Sequence, residues 1–229
     1  TVDGAFDLTL TAGTTGSVTF TGLVGDTAPL DAILINSANN VDANGVRAAS
    51  FVQTTGQGTT TLDQGNFTTG TDEALNTTGA TGVSITTKNI ALNHGITTTN
   101  GGAVSLLATA NGGGTLTMAA AGDIVANNDV ELTATGGIST AGDVTTNAAS
   151  APVNYNSAVT LTGNVAVNTT GGGASGSDVN FDQTVDGAFD LTLTAGTTGS
   201  VTFTGLVGDT APLDAILINS ANNVDANGV

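Results

Sequence analysis

The sequence has no cysteine and no tryptophan, one histidine, three prolines and only two basic residues, Arg47 and Lys88, in 229 positions. Without cysteine there is neither a disulfide framework nor a thiolate metal site, which suits an exported chain that stays unfolded in transit. Two cations against 19 acids give a formal charge of −17. Phosphate binding needs clustered Lys and Arg, so nucleic acid is excluded as a partner, and adsorption to an anionic membrane with it. No apolar run approaches the roughly 20 residues of a membrane helix, so direct insertion is not expected either. Long-chain helix formers are nearly missing, and aromatics make up 3% of the chain.

What remains is 33 Gly, abundant Thr and Asn, and a hydrophobic fraction of 39%. A core made mostly of Val, Ile, Leu and Ala is narrow, and a narrow core suggests a solenoid. Residues 184–229 repeat residues 1–46 without a change, an offset of 184 − 1 = 183. Identity at long period marks a tandem array. The chain is therefore expected to hold one full period, 1–183, and the start of the next, 184–229, of a longer protein whose address and anchor lie elsewhere.

The apolar period along the chain is two. Leu8-Thr9-Leu10-Thr11, Val18-Thr19-Phe20-Thr21, Ile33-Leu34-Ile35, Val83-Ser84-Ile85-Thr86, Val104-Ser105-Leu106, Val130-Glu131-Leu132-Thr133, Val159-Thr160-Leu161-Thr162 and Val179-Asn180-Phe181 read as short half-buried strands. Gly-rich stretches such as 12–16, 111–114, 136–137 and 171–173 read as corners. Val83, Val104, Val130, Val159 and Val179 head similar strands at a spacing of roughly 20–30 residues. Several of these intervals hold a second strand, as at Asp123-Ile124-Val125 and Asp143-Val144-Thr145. The spacing predicts an all-β fold, a right-handed parallel β-helix (β-solenoid) with coils of roughly 20 residues, about nine to a period. Apolar residues face in and Thr9, Thr11, Thr19, Thr160 and Thr162 face out. Residues 63–81 fit poorly and are read as a coil with an extruded loop. Tandem β-sandwich domains are the alternative, disfavoured by the scarcity of aromatic anchors.

Residues 115–125, 130–138 and 141–145, with Asp7 to Gly22 and its duplicate, resemble the repeats of filamentous haemagglutinin-like proteins, large bacterial adhesins of the two-partner secretion type. The resemblance is strongest over 82–210. It implies a β-helical shaft at the bacterial cell surface or outside the cell, whose work is adhesion or cell-cell contact.

Chemistry is sparse. Arg47 and Lys88 are about two coils apart in sequence, close enough to share a face, though both read as solvated side chains. His94 has no second His or Cys for a transition metal and no partner Ser for nucleophilic catalysis. Residues 171–176 lack the Lys of a phosphate loop. Asp3, Asp7, Asp42, Asp186, Asp190 and Asp225 lie near turns, where carboxylates gather Ca²⁺, but no calcium-repeat or EF-hand pattern accompanies them. Thr-x-Thr strands suggest a flat ice-binding face, which irregular coils would break. The sequons at Asn66, Asn76 and Asn168 accept glycan only where the machinery exists. No catalytic or cofactor residue is assigned.

The expected function is a structural and adhesive shaft segment, with neighbouring repeats, identical copies, and a host or neighbouring-cell surface or glycan as partners. A self-assembling extracellular fibre or sheath is the second reading, and a carbohydrate-active enzyme on the same scaffold the third. The array reading makes one direct prediction. The gene continues after Val229 with Arg-Ala-Ala-Ser-Phe, as Val46 is followed by Arg47-Ala48-Ala49-Ser50-Phe51; sequencing past this point decides it, and an unrelated continuation or a stop defeats it.

Overall fold

The computed structural model describes residues 1–67 and 72–229. Strands pair in parallel, each with the strand about one coil earlier and one coil later, in a 16-stranded and an 8-stranded sheet. The larger sheet turns a corner within Val46–Gln53 and Leu75–Thr87, whose two halves pair with different neighbours. The coil therefore has three faces, and about nine coils are stacked. The first face begins with Leu8–Thr11 and the second with Val18–Phe20. The third begins with the bridges Val2–Val24–Val46 and continues through Ile96–Thr98 and Ile124–Ala126. Among the described residues there is no α-helix, only a 3-10 turn at Ala110–Gly112. The expected parallel β-solenoid is the observed fold.

Alternation sets the register. Val104, Leu106, Val130, Leu132, Val159 and Leu161 are at most 2% exposed, while Thr160 and Thr162 between and beside them are exposed. A slip of one residue would reverse every such set. Stacked coils place like on like: Tyr155, Phe181 and Phe203 fall in one inner column of the first face, with ring centroids 4.7 and 5.1 Å apart and nearly parallel planes. The few aromatics are thus concentrated in the core instead of absent from it.

Several expectations are corrected. Coils are longer than the sequence spacing suggests, and less equal. On the first face the step from Ile33 to Phe51 is 51 − 33 = 18, the step from Phe51 to Val83 is 83 − 51 = 32, and Leu8 to Val224 covers nine steps, (224 − 8)/9 = 24. Corners of unequal length absorb the difference. Val159 does not share a face with Val83, Val104, Val130 and Val179; Val153 takes that place and Val159 opens the second face. The extruded segment is shorter than 63–81. Ala74 and Leu75 are fully buried, residues 75–77 pair on the third face and 82–87 on the first, so the excursion has ended by Ala74. Part of it, 68–71, is outside the described residues.

Inward threonine hid these turns from the sequence pattern. The Thr98, Thr146 and Thr169 hydroxyls are buried at the ends of third-face strands and donate across the corner to the carbonyls of Gly102 (2.5 Å), Ala151 (2.7 Å) and Ser177 (2.6 Å). Each hydroxyl satisfies a carbonyl where the ladder turns. At Gly82 the chain turns onto the first face with φ +66°, and a Cβ there would lie 2.1 Å from the Ala103 carbonyl oxygen. Only glycine fits that approach.

The two identical segments have the same local structure. Val24 N–H donates to the Gly45 carbonyl and Val207 to Gly228; Ala12 to Ser37 and Ala195 to Ser220; Asn39 to Gly16 and Asn222 to Gly199. Both copies carry the same register shift, after Leu10 and after Leu193. Their burial differs because their neighbours differ. Leu193, with Val167 beneath it, is fully buried, whereas Leu10 has no coil below and is partly exposed.

Two stability predictions result. Leu193→Ala should cost about 2–5 kcal/mol, the usual cavity range, and Leu10→Ala clearly less, although the local sequence is the same; denaturant melts read by hydrogen exchange near each site would show equal costs if stacking were not the cause. Among the described residues the Tyr155 hydroxyl is buried without a partner, and burial, with a smaller contribution from the Asp143 charge, raises its pKa. A raised pKa means the fold is at full stability below the unfolded value of about 10 and loses stability as pH rises through and beyond it. Tyr155→Phe should therefore stabilise the protein by about 1–3 kcal/mol, the cost of an unmet buried hydroxyl, and reduce its alkaline sensitivity.

Candidate functional site

Several acids of the lateral surface are engaged with backbone. Asp3 accepts the N–H of Thr27 at 2.9 Å and of Ala28 at 3.4 Å, and its duplicate Asp186 accepts Thr210 at 2.9 Å and Ala211 at 3.1 Å. Asp7 accepts Ala32, Asp143 accepts Ala166, Asp178 accepts Ser200, and the amide oxygens of Asn40, Asn89 and Asn164 do the same for Thr59, Thr115 and Asp190. In each case the donor lies about one coil up. Corners interrupt the strand ladder and leave N–H groups over, and an Asx side chain from the coil below takes them. The Thr27 N–H is also the main reason that the Asp3 carboxyl titrates below its ordinary value.

The six candidate calcium ligands are spread out by this arrangement. Asp3 and Asp7 are in the first coil, and Asp186 and Asp190 about eight coils later. Asp42 points out from the second face between Thr19 and Thr61, and Asp225 is exposed on the first face beside Thr202. Among the described residues no group of three or more His, Cys, Asp or Glu side chains is placed to hold a metal.

Arg47 and Lys88 do not share a face. Arg47 is on the third face, opposite Asn76, with its guanidinium 5.4 Å from the centre of the buried Phe67 ring. Lys88 is at the corner between Leu75–Thr87 and Asn89–Leu92. The Thr-x-Thr pairs are distributed likewise: Thr9 and Thr11 on the first face, Thr160 and Thr162 at the second, Thr192 and Thr194 on the third, so they form no single flat array. Of the sequons, Asn66 is exposed but Thr68 is outside the described residues, Asn76 is half-buried, and the Asn168 side chain holds the Thr170 N–H and hydroxyl.

One feature is not legible in the sequence. His94, Asp72, Glu73 and Asp123 line an open recess of about 290 Å³ where the second face turns into the third. The excursion brings Asp72 and Glu73, the corner after Asn89–Leu92 brings His94, and the next coil brings Asp123. Glu73 accepts the Thr97 hydroxyl at 3.3 Å through one oxygen; the other is enclosed without a partner among the described residues. Asp123 accepts the Asp143 N–H at 2.8 Å and is committed to the corner. The recess is acidic with a single imidazole. Its one hydroxyl, that of Thr97, is donated to Glu73, and the recess is a polar notch on the solenoid.

No protein-family model, no curated protein and no solved structure matches the chain. The class the structure defines is a β-solenoid with three faces to the coil.

The Asx bridges give a pH prediction. Asp3 has a depressed folded pKa, so its bridge is in place above the ordinary Asp value of about 4 and is lost as pH falls through the lower folded value. Protection of the Thr27 and Ala28 amides, as exchange relative to the intrinsic rate at each pH, should fall in that window when followed downward from pH 5, and in Asp3→Ala it should already be low at pH 5. Equal protection in the two proteins would show that the carboxylate does not hold this corner.

Proposed function

We propose that the chain is a shaft segment of a giant repetitive protein of the bacterial cell surface or extracellular space, filamentous haemagglutinin-like in kind. It works by projecting a surface and presenting it for contact, not by catalysis. The observation that carries this reading is that one sequence, 1–46, occurs twice, makes the same hydrogen bonds twice, and is buried on each side only where another coil is stacked. Val41, Val46 and Ile33 are at most 1% exposed beneath a following coil, while their duplicates Val224 and Val229 are 52% and 79% exposed and Ile216 is partly exposed. An end bare in one copy and covered in the other is suited to continuation. The low content of cations, the single histidine and the commitment of Asp123 to a corner favour contact over hydrolysis.

The bare ends favour a second reading, in which separate copies stack into a fibre. Val2 and Phe6 at one end and Val224 and Val229 at the other are exposed apolar groups. The two readings part in solution. Proteins of one, two and three periods, imaged by electron microscopy, should be rods that lengthen by about 37 Å per period at roughly 4.8 Å per coil. A string of separate beads, or a length that does not grow, overturns the shaft. The one-period protein carries the same bare ends in both readings, so its mass by light scattering should rise with concentration; a constant mass would mean protected ends and defeat the fibre.

A further inference from the structure

The two copies of the repeated segment do not occupy the same faces. Leu8–Thr11 lies on the first face, in line with residues 33–35, 51–53 and Val104–Ala108; its duplicate lies within Asp190–Thr194 on the third face, in line with Val165–Asn168 and Ala215–Ser220. Val18–Phe20 is on the second face, paired with Val41–Asn44, and its duplicate Val201–Phe203 is on the first, paired with Val179–Phe181. Val2 bridges to Val24 on the third face, whereas Val185 pairs with Val159 on the second. The displacement is the same for all three: first to third, second to first, third to second.

The cause is a count. Following the faces in chain order, from Val2 on the third face at position zero, Val24, Val46, Leu75, Ile96, Ile124, Val144 and Val165 take every third position up to 21, Val179 is 22 and Val185 is 23. One period thus spans 23 strand positions, and 23/3 is 7⅔ coils. Because 23 is not a multiple of three, the period cannot return to its own faces. The local structure does not resist the change: corner hydrogen bonds, the Asp3 and Asp186 bridges and the register shift are the same in both copies. The inner columns accept it as well, since Val, Ile, Leu and Ala occupy all three faces.

We infer that successive periods of the array are turned by a third of a revolution, so that the shaft presents every surface patch of the period in three directions and repeats only after three periods. The inference rests on the shaft reading above. Three periods are 23 coils, on the order of 110 Å at about 4.8 Å per coil. The recess beside His94, at the edge between second and third faces, recurs at the edge between first and second in the next period and between third and first in the one after. The interaction surface is therefore equivalent from every side once per three periods. It fits a partner that meets the shaft from an unspecified direction, such as a receptor or glycan displayed on an opposing surface. It does not fit a second shaft lying alongside, because no stripe of the same residues runs down one face to hold two rods in register.

The test uses the absence of cysteine. In a three-period protein, Thr160→Cys in every period places one outward thiol per period, since Thr160 is exposed in the middle of the second face. Maleimide-biotin and streptavidin then mark the three positions for cryo-electron microscopy. The expected image is one continuous rod with marks about 37 Å apart along the axis and about 120° apart around it. Three marks in line on one side of a continuous rod overturn the rotation and leave the shaft standing; three separate bodies overturn the shaft. Thr117→Cys, exposed on the same face, repeats the measurement at a second height and guards against a folding defect at Thr160.

Discussion

Everything in this structure depends on the parallel pairing of one coil with the next. A single coil of about 24 residues has three strands that do not pair with each other, and its inward Val, Ile and Leu have nothing above or below them. Only stacking supplies hydrogen-bond partners for the strands and closes the core at the same time. The duplicated segment separates this effect from sequence, because Leu10 and Leu193, or Val41 and Val224, share all local determinants and differ in neighbours. Burial here is a property of the stack, not of the residue.

Corners are where that pairing fails, and the composition reflects it. Among the acids and amides of this polar chain, Asp7, Asp143, Asp178, Asn40 and Asn89 accept N–H groups from the coil above, and buried Thr hydroxyls serve as donors to corner carbonyls. A carboxylate that binds backbone in this way is drawn along the rod one coil at a time, as from Asp123 to Asp143 to Ala166. Three of the six acids weighed as calcium ligands, Asp3, Asp7 and Asp186, hold N–H groups of the next coil.

Strand content, alternation, the parallel stack and the repeated segment are all legible, because period-two patterns such as Val104-Ser105-Leu106 carry their own register. The phase of the coil is not. Thr77, Thr98 and Thr146 point inward where an apolar residue is expected, so third-face strands such as Ile96–Thr98 are hard to distinguish from turns. Without the phase, the pattern puts Val159 in the wrong column, leaves Arg47 and Lys88 free to share a face, and cannot assemble the recess. Asp72, Glu73, His94 and Asp123 lie far apart in sequence and belong to neighbouring coils only once the excursion is subtracted.

Stacking has a mechanical meaning for a protein held at one end and pulled at the other. The chain advances along the stack coil by coil, so in any such stack tension falls first on whichever coil is terminal, since its strands have a neighbour on one side only. A terminal coil detaches while those beneath keep both of theirs, and each release adds about 80 Å of extended chain for about 24 residues at roughly 3.3–3.6 Å apiece. Such a rod gives way in small steps from its ends, and it lengthens under load many times over before its middle is disturbed.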